Sequence, residues 1–134
     1  MTEAHSEPRT GADVRIAGGE LTVNLDALRS NYRALVRASH PATAAGVVKA
    51  NAYGLGIDVV VPALLSAGCR DFFVAMPEEG IAARRHAGDA RIFVLAGLFS
   101  SGVAALYAAY DLTPVLNSTD DIAIWTAHCA SYRH

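Results

Sequence analysis

An α/β fold with a parallel sheet covered by helices is predicted by three features of this 134-residue sequence. Continuous apolar runs recur at residues 44–50, 71–76, 91–96 and 112–116. Each run is followed by a stretch with helical spacing, and Gly, Pro, Asp or Asn punctuates the junctions. Unbroken apolar runs read as strands buried on both faces, the condition of a parallel strand lying between helices.

The first 19 residues carry Glu3, Glu7, Pro8, Arg9, Asp13 and Arg15 and no apolar segment. They read as a disordered tail and not as a signal peptide, so the fold is expected over residues 20–134. Residues 20–23 suggest a short strand. Asn24 then acts as an N-cap with Asp26 near the positive end of the helix dipole. Leu25, Leu28, Tyr32, Leu35 and Val36 mark one face of a helix that Pro41 stops. The apolar run at 44–50 ends around Lys49 and is broken by Tyr53-Gly54-Leu55-Gly56. Asp58 is placed to cap a helix through Ala67, with Pro62 near the end of its first turn and Gly68 after it.

A strand over 71–76 leads to a helix opening at Pro77, with Glu78 and Glu79 in its first turn. Arg84, Arg85 and His86 occupy its last turn ahead of Gly88, so both ends match the helix dipole. A third strand over 91–96 is followed by a helix over 101–110. A fourth, weakened by Pro114, covers 112–116, and a last helix starts at Asn117 or Ser118 and reaches about Ala130. Two architectures share this rhythm of four β–α units. One is a complete doubly wound sheet; the other is the first half of a β/α barrel, which needs eight units and about 250 residues. Periodicity leaves both open.

Composition narrows the function classes. Hydrophobic residues make up 52% and charged residues 18%, enough apolar surface for an ordered core. The net charge is -2 and no basic run exists, which argues against nucleic acid or an anionic membrane surface as main partner. No stretch approaches the roughly 20 apolar residues of a membrane span. Cys69 and Cys129 lack metal-ligand spacing and read as reduced thiols of a cytoplasmic protein. The five histidines are scattered, and no metal site is expected.

Among the 11 basic residues, Lys49 is the single lysine. It sits at the C-terminal end of an apolar strand, where βα loops assemble active sites in either architecture. A partly desolvated amine there suits a Schiff-base nucleophile, while a snorkelling lysine with its head in water explains the same position. Gly54-Leu55-Gly56 lacks the third glycine of a dinucleotide fingerprint, and the GLFSSG segment at 97–102 lacks a P-loop lysine. Glu78 and Glu79 are accounted for by the helix dipole.

The segment VVKANAYGLG, residues 47–56, resembles the cofactor-lysine motif of alanine racemases, KANAYGHG or KADAYGHG after apolar strand residues. LTVNLDALRSN, FFVAMPEEGIAAR and IFVLAG resemble further parts of that family. The resemblance implies a partial (β/α)8 TIM-type barrel: the first four βα units, preceded by a short strand and helix. The family's β-rich C-terminal domain falls outside these residues. It also implies pyridoxal 5'-phosphate as cofactor and interconversion of L- and D-alanine for peptidoglycan precursors. Lys49 would be the Schiff-base lysine and one of two catalytic bases, and Tyr53 would hold the cofactor phosphate. Val47 and, from the third strand, Phe93 and Leu95 would line the ring.

The opposing base in the family is a downstream tyrosine acting across a homodimer interface. Tyr32, Tyr107, Tyr110 and Tyr132 match no such motif, so the isolated chain is expected to be inactive. Leu55 stands where the family commonly has His. Two other readings remain: a non-catalytic pyridoxal-phosphate-binding or scaffolding half-barrel, and another lysine-imine barrel enzyme such as an amino acid decarboxylase or serine racemase.

Overall fold

The computed structural model describes residue 19 and residues 21–131. The expected tail, apart from Gly19, lies outside the described residues, as do Glu20 and residues 132–134. In chain order the elements are α1 (Leu25–Ser39), β1 (Gly46–Val47), α2 (Lys49–Tyr53), α3 (Ile57–Ser66), β2 (Asp71–Val74), α4 (Pro77–Ala87), β3 (Arg91–Val94), α5 (Ser101–Ala109), β4 (Thr113–Pro114) and α6 (Thr119–Ser131).

Strand order distinguishes the two architectures that periodicity left open. The sheet runs β1-β2-β3-β4, every neighbour pair parallel. A doubly wound sheet reverses its strand order partway and carries helices on both faces. Here the order never reverses, and only one face is covered. Val48, Phe72, Val74, Ile92 and Val94 are fully buried, whereas Val47 on the opposite face is 46% exposed. This is the singly wound start of a barrel. Burial of each strand on both faces, the expectation from the apolar runs, therefore holds among the described residues for the helix-covered face alone.

The register places Val47, Phe73, Phe93 and Thr113 in one row across the uncovered face. The strands are shorter than the apolar runs, but ladder bonds continue past their ends. Val48 N–H donates to Phe73 O at 2.8 Å, Leu95 N–H to Val74 O at 3.0 Å and Val115 N–H to Val94 O at 2.9 Å.

Residues 21–23 form no strand. A strand exists only where a partner's ladder meets it, and no described strand runs beside them. Helix α1 keeps its predicted cap, with Asn24 Oδ1 accepting from Ala27 N–H at 2.9 Å. Its apolar stripe is buried only in part: Tyr32 is in the core, while Leu35 and Val36 are exposed. The Tyr32 hydroxyl donates to Ala44 O at 3.0 Å, anchoring α1 to the strand entry, and burial pushes its phenol up to about 12. Helix α3 starts at Gly56, so Asp58 lies inside its first turn and does not cap it. Pro62 consequently falls in the second turn. Helix α4 matches expectation from Pro77 at its first position to Gly88 at its C-cap.

Two charged side chains tie neighbouring units together. Arg84 donates to Gly88 O and Ala90 O, both at 2.8 Å, to Tyr110 O at 3.2 Å and to Asp111 O. It thereby fastens the α4–β3 and α5–β4 turns to each other. At the opposite end, Asp121 in the first turn of α6 accepts from Asn117 N–H at 2.8 Å and from Leu98 N–H at 3.2 Å. Gly97, at φ +73°, lies against this carboxylate: a Cβ there would stand 2.5 Å from Asp121 Oδ2.

Gly97→Ala is accordingly expected to destabilise the chain by about 2 kcal/mol or more, from left-handed strain plus the displaced carboxylate, measured as a lowered urea midpoint. Asp121 also gives the fold a pH signature. The N–H of Asn117, supported by Leu98 and Ser118, holds its carboxyl below the ordinary range. A depressed carboxyl stabilises the fold above the unfolded pKa of about 3.9 and loses that contribution as pH falls through the lower folded value. Urea unfolding at stepped pH should show Asp121→Asn weaker than the parent at neutral pH, with the gap closing below about pH 4.

Candidate active site

The last ladder bond of β1 is made by Val48, whose φ of -124° and ψ of 21° turn the chain out of the sheet. Lys49 therefore emerges at the C-terminal end of the first strand. Being two residues from Val47, it projects toward the same uncovered face. Its side chain is half-buried, and its Nζ makes no hydrogen bond or ion pair among the described residues.

The apolar run does not continue as strand to Ala50. Lys49–Tyr53 instead forms a turn in which Ala50, Asn51, Ala52 and Tyr53 all have φ between 50° and 56°. Such left-handed geometry costs L-residues roughly 1–2 kcal/mol each, so a run of them persists only where surrounding contacts determine it. Those contacts are identifiable. Ala52 N–H donates to Val48 O at 2.9 Å, and Ala52 itself is 3% exposed against the core. Gly54, at φ +86°, closes the turn by donating to Ala50 O at 3.0 Å, a geometry glycine adopts without side-chain clash. Asn51 Oδ1 accepts from Ile57 N–H at 2.9 Å and so supplies the cap of α3 that Asp58 does not.

Glu79 completes the enclosure from the next unit. Its Oε1 accepts from Ala50 N–H at 2.7 Å, while Oε2 accepts from Ala75 N–H at 2.8 Å and Met76 N–H at 3.1 Å. The helix dipole accounts for exposed Glu78 but describes Glu79 incompletely, because one of its oxygens leaves the helix to bind the lysine turn.

Around this turn the uncovered face is layered along the strands. Asp71 and Arg91 pair at its N-terminal end, through Nε at 2.6 Å and Nη2 at 2.9 Å, which keeps the Arg91 guanidinium protonated above its usual range. Phe73 and Phe93 stack next, with centroids 4.7 Å apart and the Arg91 guanidinium 5.5 Å from the Phe93 ring. Leu95 follows two residues beyond Phe93 and is 38% exposed; its carbonyl accepts from Asn117 Nδ2 at 2.7 Å.

Lys49, Val47, Phe93 and Leu95 thus share one face, with β2 between the first and third strands. Tyr53 ends the left-handed turn, 63% exposed, and Leu55 beside it is exposed as well. Helices α4 and α6 both begin at this end of the sheet, directing the positive poles of their dipoles toward it. Among the described residues no group of three His, Cys, Asp or Glu is arranged to hold a metal, and no helix is long and apolar enough to cross a membrane.

Glu79, Asn51 and Asp121 were not singled out as long-range contacts in the sequence. A faint signal existed for two of them: Ser118-Thr119-Asp120-Asp121 has capping-box spacing, and Glu79 is the third residue of its helix. Nothing local indicated that either acid would also bind the loop of another unit.

Comparison with known proteins converges on one family. Residues 23–134 match the family profile described as alanine racemase, N-terminal domain. Over 113 residues the chain is 52% identical to a catabolic alanine racemase of Agrobacterium fabrum, covering 84% of this chain and 29% of that protein. Over 111 residues it is 47% identical to an alanine racemase of Rhizobium meliloti, covering 83% and 29% respectively. Among solved structures, alanine racemase from Bartonella henselae, with covalently bound pyridoxal phosphate, superposes with a TM-score of 0.76 at 37% identity. That likeness covers 81% of this chain and 30% of the other. The biosynthetic alanine racemase of Pseudomonas aeruginosa gives a TM-score of 0.70 at 36% identity, over 77% of this chain and 28% of the other. The chain spans about three tenths of the length of these relatives. With strand order, lysine turn and sequence all in agreement, the chain belongs to the alanine racemase family, through that family's N-terminal domain.

Proposed function

We propose that these residues form the cofactor-holding part of a pyridoxal-phosphate-dependent alanine racemase, with Lys49 as the residue that binds the cofactor covalently. The observation that carries this reading is the position of the chain's single lysine. It stands at the C-terminal end of the first barrel strand, on the uncovered face, in a turn held from three directions. The residues present fit the group: a primary amine for imine formation, a phenol one turn away, and an apolar surface of Val47, Phe93 and Leu95. The Bartonella henselae relative carries pyridoxal phosphate covalently, in keeping with this fit.

When bound, the cofactor ring supplies the electron sink that removal of an amino acid α-proton requires. The chain's own residues have distinct parts. Lys49, once its amine is free, takes or returns the α-proton on one face of alanine. The Tyr53 hydroxyl donates to the phosphate, and that hydrogen bond is strengthened by the charge of its acceptor. Val47, Phe93 and Leu95 exclude water from one side of the ring.

Racemisation needs a second base on the opposite face, and the family resemblance assigns it to a tyrosine of a paired subunit. The homodimer is thus part of the proposal. So is a cytoplasmic location, with which the unpaired thiols of Cys69 and Cys129 agree. The same proton transfers serve D-alanine supply for the cell wall or alanine breakdown; relatives described as biosynthetic and as catabolic both occur.

Incubating the chain with pyridoxal phosphate, reducing with borohydride and mapping peptides should place the label on Lys49. Absence of label there would sink the reading. The 134-residue chain alone should give no measurable exchange between L- and D-alanine, a result checked with a chiral amine assay. Tyr53→Phe should weaken cofactor retention about threefold to tenfold by equilibrium dialysis, the size of one lost charge-assisted hydrogen bond.

A further inference from the structure

We infer that Glu79 is a positioning residue for the cofactor lysine, acting through the backbone of Ala50. The inference rests on the assignment of Lys49 above and adds to it a second residue, from a different βα unit. Helix capping requires only one carboxylate oxygen, and Oε2 meets it by accepting from Met76 N–H and Ala75 N–H. The other oxygen crosses to the first βα loop and accepts from Ala50 N–H at 2.7 Å.

Ala50 is the first of the left-handed residues, and its N–H belongs to the peptide joining it to Lys49. Fixing that peptide plane fixes the direction in which the Lys49 side chain leaves the backbone. The bond is charge-assisted and partly shielded, conditions under which a hydrogen bond is at its stronger end. Glu78, in the same turn of the same helix, is exposed and makes no such bridge, so it isolates the dipole contribution.

An independent recurrence supports a built device. Asp121, also the third residue of its helix, accepts from its own helix entry at Asn117 and from Leu98 in the loop of the preceding unit. In both places an acid at one helix start holds an amide of the βα loop before it. Only in the first does that loop carry the lysine.

Glu79→Gln separates bridging from capping, because a carboxamide has one accepting oxygen and cannot serve both loops. The expected result is hydrogen exchange at the Ala50 amide faster by about tenfold or more, with protection in β2 and β3 retained. Borohydride trapping of pyridoxal phosphate on Lys49 should slow by about tenfold. A cofactor-free measurement, the rate at which a neutral acylating reagent modifies Lys49, should also change. Glu78→Gln should alter none of these. Unchanged exchange at Ala50, or unchanged Lys49 acylation and trapping despite faster exchange, overturns the inference.

Should the parent chain trap no cofactor, the proposed function fails while exchange and acylation still decide the role of Glu79. If Glu79→Gln does not fold, an ester in place of the Lys49–Ala50 amide removes the other partner and leaves the helix cap intact. Parent-like acylation of Lys49 in that ester chain overturns the inference as well.

Discussion

The left-handed turn directly after Lys49 is the constraint on which the site depends. Ala50, Asn51, Ala52 and Tyr53 each occupy backbone geometry that L-residues avoid, and none of them is glycine. The turn reverses the chain within a few residues of the strand end, so helix α3 can start at Ile57 and pack back onto the sheet. It also leaves Lys49 at the strand mouth and carries Tyr53 to the exposed rim. A right-handed turn at this point would send the chain elsewhere and separate the amine from the phenol. The strain is offset by hydrogen bonds from inside the turn, from the Asn51 side chain to α3, and from Glu79.

The same economy of contacts holds the whole sheet edge. In parallel β/α architecture the strands leave unpaired amides where the chain exits the ladder, and buried amides require partners. Glu79 and Asp121 satisfy such amides in two loops at once, joining adjacent units at the C-terminal end of the sheet. Arg84 does the complementary work at the other end, where turns present carbonyls. Anions therefore sit where N–H groups gather and a cation where C=O groups gather. That division follows directly from all strands running the same way.

The uncovered face has its own order along the strand direction. The Asp71–Arg91 pair lies at the N-terminal end, the Phe73–Phe93 stack in the middle, and Lys49 with Leu95 at the C-terminal end. The ion pair adds little net stability with the Arg91 side chain 68% exposed, since solvent screens it. What the layering does is keep structural charge away from the reactive amine. The lysine end is left with an apolar floor and the positive poles of helices, surroundings suited to a phosphate-bearing aromatic ring.

Much of the fold was legible in the chain itself, because its determinants are local. Helical spacing, the Asn24 cap and the Pro77–Gly88 punctuation with matching end charges all act within a few residues, and α1 and α4 appear where they indicate. The motif around Lys49 likewise indicated a family before any coordinates. Other features depend on segments far apart in sequence. Residues 21–23 look like a strand but find no ladder partner, and Leu35 and Val36 look like core but remain exposed. Asp58 resembles a cap, yet Asn51, six residues before Ile57, reaches the free amide. The choice between a doubly wound sheet and a barrel required strand order, which periodicity does not encode. Local sequence thus determined which segments are helix or strand and which amine is available for chemistry. Tertiary structure decided how that amine is aimed, because the hydrogen bond on Ala50 comes from a carboxylate 29 residues away that only the folded sheet brings within reach.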